Sequence, residues 1–249
     1  DPWILPLDEF DGFVFVSQWQ KNINAPLIPK HAKAIVIPNG IAPAFHDAFD
    51  ITKKEPIVIY AGSSKRGLLF LPQILPALKA AHPTLTFEIY SDCNVDNDAA
   101  AQEKLRAELT AISGVTHVGA VSQSELPARF KRARYFISPN TYPETFCICL
   151  AESMAAGCVP IITARAALPE TAKGFATLVP VTNPDSVIHE KDGLDIALFT
   201  QKTIEAIHAF EAKPADEQHA YLRAQIDFAI GQYDWARHAK GWVEIMSSE

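Results

Sequence analysis

Short apolar runs rich in Val, Ile, Phe and Tyr recur along the chain, each followed by a stretch of mixed polar and apolar positions at helical spacing. The runs predict strands at Phe13–Val16, Ala34–Ile37, Ile57–Tyr60, Thr86–Tyr90, Thr116–Val118, Tyr135–Ser138, Val159–Ile162 and Thr177–Val179. Most lack the polar alternation of a half-solvated strand, so they read as strands buried on both faces of a parallel sheet. Between them the pattern predicts helices over Gly67–Ala81, Ala99–Ile112, Gln123–Arg132 and Thr145–Ala156. Thr200–Glu249 reads as helices broken at Pro214 and near Gly231. Strand–helix alternation of this kind means βαβ units and a doubly wound α/β sheet, here from about Glu55 to Val181.

The first residues stand apart from that unit. Asp11–Gln20 has the look of a strand entering a helix, and Pro26, Pro29 and Pro38 then punctuate a connector ending at the turn Pro38-Asn39-Gly40. The expected division is therefore 1–40 as the remnant of a preceding domain and its linker, 41–232 as the doubly wound domain, and 233–249 as a C-terminal helix that crosses back. The chain starts at Asp1 rather than Met, which is expected of a fragment or a processed product.

In an open α/β sheet, ligands bind beyond the carboxyl ends of the strands. Two such loops carry chemistry. The first is Ala61-Gly62-Ser63-Ser64-Lys65-Arg66-Gly67, whose glycines, hydroxyls and cations before a helix suit a phosphate, and equally suit a solvated loop with a helix cap. The second, Pro139-Asn140-Thr141-Tyr142-Pro143-Glu144-Thr145-Phe146, runs into a helix carrying Glu152. Glu144 at the helix start leaves the N–H groups of Thr145, Phe146, Cys147 and Ile148 facing outward, a terminus that favours an anion. Glu152 lies among Leu150, Ala151, Ala155 and Ala156 and needs donors, which a pair of ribose hydroxyls or a buried salt bridge would supply.

Composition narrows the field. In 249 residues the hydrophobic share is 48%, enough for a sizeable core. No apolar run approaches the roughly 20 residues of a membrane span. Net charge is −7 with no basic cluster, which argues against nucleic acid and makes any anion site a local one. Cys93, Cys147, Cys149 and Cys158 have no metal-ligand spacing and no disulfide framework, which points to buried thiols in a reducing compartment, the cytoplasm. No His, Cys or carboxylate constellation suggests a metal. The acidic loop Asp92–Asp98 lacks the Gly and terminal Glu of a calcium loop.

The segment from Glu144 to Glu152, Glu-Thr-Phe-Cys-Ile-Cys-Leu-Ala-Glu, resembles the E-x7-E signature of retaining GT-B glycosyltransferases of the group 1 type. The likeness extends through Ser153–Pro160 and Leu168-Pro169-Glu170-Thr171. It also takes in the crossover-like Ile37-Pro38-Asn39-Gly40-Ile41, Val118-Gly119-Ala120-Val121 with Glu125-Leu126, and the C-terminal Tyr233-Asp234-Trp235. The resemblance implies a nucleotide-diphosphate sugar as donor, UDP-, GDP- or ADP-linked, with no further cofactor and no metal.

It also implies roles residue by residue. Glu152 would hold the donor ribose and Glu144 the hydroxyls of the transferred sugar. The amides of Thr145, Phe146, Cys147 and Ile148 would hold sugar and diphosphate. Lys65 and Arg66, with Gly62 and Ser63 in the same loop, would meet the diphosphate, while Val121 and Gln123 would lie beside the base. Two positions depart from the family: Ser63 stands where an Arg is frequent, and Cys147 where Gly is usual, narrowing the sugar pocket. The acceptor half of such an enzyme is missing from the chain, so a separate N-terminal domain is an expected partner. A nucleotide-sugar-binding module without chemistry and an epimerase-like protein are the alternatives. A dinucleotide oxidoreductase is disfavoured because no Gly-x-Gly-x-x-Gly follows any strand.

Overall fold

The computed structural model describes residues 6–95, 97–189 and 193–247. Strands β1 (Gly12–Phe15) and β2 (Lys33–Val36) pair in parallel through the connection that contains α1 (Gln18–Asn24). The main sheet is built from β3 (Glu55–Ala61), β4 (Thr86–Tyr90), β5 (Val115–His117), β6 (Ala133–Ser138), β7 (Val159–Thr163) and β8 (Thr177–Val179). Its spatial order is β5-β4-β3-β6-β7-β8, with every neighbouring pair parallel. All eight strands fall where the apolar runs predict them, within a residue or two at the ends.

Helices α2 (Leu71–Ala81), α3 (Ala99–Thr110) and α7 (Ile196–Glu211) cover one face of the sheet. There they meet Val58, Tyr60, Tyr135, Ile137 and Ile161. On the other face, α4 (Leu126–Arg132), α5 (Ile148–Ala155) and the C-terminal half of α8 (Ala215–Gln232) pack on Ile57, Ile59, Phe136 and Ile162. Alternate residues of one buried strand thus feed two cores, which is why the strands read as continuous apolar runs. The short α6 (Leu168–Ala172) follows β7, and α9 (Trp235–Ser247) ends the chain.

A buried cation closes one helical layer. Lys54 donates from Nζ to the carbonyls of Phe130 (3.2 Å), Ala133 (2.7 Å) and Ala156, joining the C-terminal ends of α4 and α5. Burial pushes this ammonium down to about 8 from its ordinary 10.5. It remains mostly charged at neutral pH, where three carbonyl oxygens at helix ends are good partners for it.

The β1–β2 unit joins the main sheet through two crossings of the chain that lie side by side. The N–H of Ile41 donates to the Tyr233 carbonyl at 2.8 Å, and Ile41 bridges to Asp234 in parallel. Gly40 is required there, because a Cβ would stand 2.5 Å from the Trp235 indole. A third tie comes from Glu170 on α6, whose carboxylate accepts the first free N–H groups of α1, Gln18 at 2.8 Å and Trp19 at 2.9 Å. An anion at a helix N-terminus with two donors of this length contributes about 1 kcal/mol. Glu170→Ala is expected to raise amide exchange across β1, α1 and β2 while leaving β3–β7 protected. A uniform rise over the whole chain would show that the contact has no local role.

Candidate functional site at the switch point of the sheet

Strand order reverses between β3 and β6, and at such a point the loops leave in opposite directions and open a crevice. The loops that border it are the two singled out from sequence. After β3 the backbone turns through a 3-10 segment, Ser64–Arg66, and Gly67 takes φ +99°. The Tyr60 hydroxyl holds this turn by donating to the Ser63 carbonyl at 2.8 Å. The N–H of Gly62 is spent on the Tyr90 carbonyl at 3.2 Å, so it is not a donor for a ligand. Ser63 and Lys65 are exposed on the rim, and Arg66 turns inward.

Arg66 meets Glu144. The guanidinium Nε donates to one carboxylate oxygen, and a second bond runs from the Arg66 NH2 group to the other at 3.5 Å. Glu144 is buried, whereas Arg66 keeps an open side towards the crevice. The Arg66 pKa is raised: burial alone would lower it, but the Glu144 carboxylate outweighs that and holds the cation charged. Tyr142 lies against the guanidinium, ring centre to Cζ 5.4 Å. Sequence alone singled out Lys65, Arg66 and Glu144, and left Tyr142 unassigned. The signal for it was an aromatic set between Asn140 and Pro143 in the strand-end loop.

Helix α5 starts later than the pattern predicts. Its first residue is Ile148, and Cys147 before it stands at φ 74°, in the left-handed region. The helix does not extend back to Thr145, because Pro143 and the left-handed Cys147 bend the chain between them. The Phe146 carbonyl in that bend accepts from the Thr171 hydroxyl, and the Phe146 ring is buried against Tyr233 at 5.2 Å. The outward N–H groups of the terminus therefore belong to Ile148, Cys149 and Leu150 rather than to Thr145–Ile148. Among the described residues no side-chain cap hydrogen bond is made at the α5 N-terminus, whose partial positive charge favours an anion.

Glu152 sits on α5, 3% exposed. Burial alone pushes its carboxyl up to about 7, with no hydrogen bond or ion pair among the described residues to offset it. Burial also raises the Cys147 and Cys149 thiols, which stay protonated; all four cysteines are free. Val121, half-buried, and Gln123, exposed, lie on the loop after β5, at the same carboxyl edge of the sheet. Among the described residues no group of three His, Cys, Asp or Glu is placed to hold a metal ion, and no helix is long and apolar enough to cross a membrane. Asp96 lies outside the described residues, while Asp98 caps α3 through the N–H groups of Ala100 and Ala101. Ser17 caps α1 through the Gln20 N–H at 3.0 Å.

A six-stranded, all-parallel, doubly wound sheet with helices on both faces is the Rossmann-like architecture of GT-B glycosyltransferases. The family model for glycosyl transferases group 1 matches residues 55–192, and the chain belongs to that family. Solved structures agree on the fold. Sucrose-phosphate synthase from Thermosynechococcus elongatus superposes with a TM-score of 0.72 at 19% identity, over 95% of this chain and 57% of that one. HepE from Anabaena, solved with UDP and glucose, gives 0.70 at 16% identity, over 96% and 64%. The GtfA/B complex gives 0.69 at 17%, over 96% and 45%. The chain thus spans between about half and two thirds of the length of these structures. No curated protein sequence matches it.

Proposed function

We propose that the chain is the donor-binding half of a retaining glycosyltransferase and binds a nucleotide-diphosphate sugar at the switch-point crevice. The observation that carries this is Glu152: a buried carboxylate with no donor among the described residues, on the same helix as the terminus that lies by Arg66 and Glu144. Such a group persists where a ligand supplies the donors, and the paired hydroxyls of a ribose fit.

The rest of the ligand follows from charge. The α5 terminus, Arg66 and Lys65 would face the diphosphate, and Glu144 the hydroxyls of the sugar. Charge builds on the departing diphosphate in the transition state, and a helix terminus and fixed cations stabilise it without reorganising. Cys147 in place of a family Gly would narrow the sugar side of the pocket. Retention would follow from attack on the face of the leaving group, with protein cations in the place of a metal. The acceptor side would come from a further domain, on the same polypeptide or a partner, and the four free thiols support a cytoplasmic location. The sugar and the acceptor stay open in this reading.

Calorimetric titration with UDP, GDP and ADP and their hexose conjugates at pH 8 tests it. Saturable binding to one nucleotide is expected, weakened about 100-fold in Glu152→Ala through loss of two bonds to a charged acceptor. Binding to none of them would overturn the assignment of an autonomous donor site.

A further inference from the structure

The segment after β8 is clamped onto the edge of this crevice by a buried arginine. Arg165, only 1% exposed, donates to the carbonyl of Asn183 and to that of Ile188 at 2.5 Å. Beside it the Ala166 N–H donates to the Pro184 carbonyl at 2.8 Å. A side chain of this size, buried and spent on two loop carbonyls, fixes the path of residues 183–188. Asp185 adds an outer tie by accepting from the Trp19 indole at 3.2 Å.

What the clamp delivers is His189. Its Nε2 lies 3.2 Å from the Thr141 hydroxyl, and its ring packs at 5.6 Å against Tyr142. Tyr142 in turn lies on the Arg66 guanidinium, and its own N–H is held by the Asn140 side chain at 2.8 Å. The order of contact is therefore Arg165, the 183–188 segment, His189, Tyr142, Arg66. An arginine side chain has four rotatable bonds; two bonds to Glu144 set the guanidinium plane, and a flat ring against it supports that plane when the carboxylate is exchanged for a ligand.

We propose that His189 is a positioning residue for Arg66: it presses Tyr142 onto the guanidinium and sets the plane in which Arg66 meets a diphosphate. This rests on the donor-site reading above. Arg66 has two prospective partners, Glu144 and the ligand, and the ring that supports it keeps it aimed at the crevice when the ligand takes over from the carboxylate. His189 itself need not touch the ligand.

The test is a double-mutant cycle on affinity for the nucleoside diphosphate that the parent chain binds, with the corresponding nucleoside as control. His189→Ala is expected to weaken the diphosphate about five-fold, the size of a supported cation–aromatic contact, and to leave the nucleoside unchanged. Tyr142→Leu, which keeps an apolar side chain but removes the aromatic face, should do the same. In an Arg66→Ala background both losses should vanish, because nothing remains to be positioned. His189→Gln, which returns an amide near the place of Nε2, should recover most of the affinity.

Losses that persist in the Arg66→Ala background, or that fall equally on nucleoside and diphosphate, would overturn the inference. So would an unchanged affinity in His189→Ala. A parent chain that binds no nucleotide would fail at the earlier step and overturn the donor-site reading instead.

Discussion

Glu152→Gln is expected to make the unliganded protein more stable and at the same time cost it its nucleotide. The carboxyl of Glu152 titrates at about 7 when folded, against an ordinary 4.5, because burial disfavours the charged form. The folded state therefore holds a proton that the unfolded chain releases between these values, and stability falls as pH rises from 4.5 to 7. Above both values the penalty of keeping a buried charge is about 3 kcal/mol. A neutral amide of the same shape escapes it. The expected gain at pH 8 is a melting temperature higher by roughly 6–12 °C for a domain of this size, shrinking towards zero at pH 4.5. Calorimetric scans of both proteins at pH 4.5, 6 and 8 measure it. A difference that does not grow with pH would mean that Glu152 carries no uncompensated charge. A residue that lowers the stability of the unliganded fold and is kept for the sake of a ligand is a mark of a binding site rather than of a structural role.

Gly67→Ala is the substitution expected to do most damage. Gly67 sits at φ +99°, and a Cβ there would stand 2.3 Å from the Pro139 carbonyl oxygen and 2.6 Å from its carbon. Both obstacles are backbone, so no side chain can step aside, and the loops after β3 and β6 must separate. The cost is expected to be about 3 kcal/mol or more, backbone strain and clash together. Gly119→Ala separates the two contributions. Gly119 has φ +87° but nothing within 4 Å of a built Cβ, so only the strain of about 1 kcal/mol remains. Urea midpoints for the two variants should differ accordingly. Similar midpoints would mean that the close approach of the two loops is not maintained in solution. Because Arg66 precedes Gly67 and Glu144 follows Pro139, their ion pair should be lost with it.

The eight strands were legible because a strand buried on both faces leaves an uninterrupted apolar run, and the doubly wound class followed from the alternation, though not the strand order. That Arg66 and Glu144 border one crevice was legible too, since both lie on strand-end loops of one sheet; the ion pair between them was not. Helix starts were less so. Cys147 enters the left-handed region, a conformation that no cysteine announces, and it delays α5 to Ile148. The five-residue α6 is too short to show a period. The pattern also began α7 at Thr200, whereas Asp195 caps it from Ile196 through the Leu198 N–H. Tyr142, Arg165 and His189 act through contacts between loops far apart in the chain, and no local spacing records such contacts.

The side-by-side crossings at Ile41 and Asp234 have a mechanical consequence for the β1–β2 unit. A body tethered through a single segment can swing about any axis. Two tethers bonded to each other leave it one easy freedom, rotation about the line they share, and suppress sliding and twisting. Glu170 and Asp185 grip the same body on α1, away from that line, and attachment off the line as well as on it defines an orientation. The unit is mounted like a door, with Ile41 and Asp234 as the hinge and these two carboxylates as the latch.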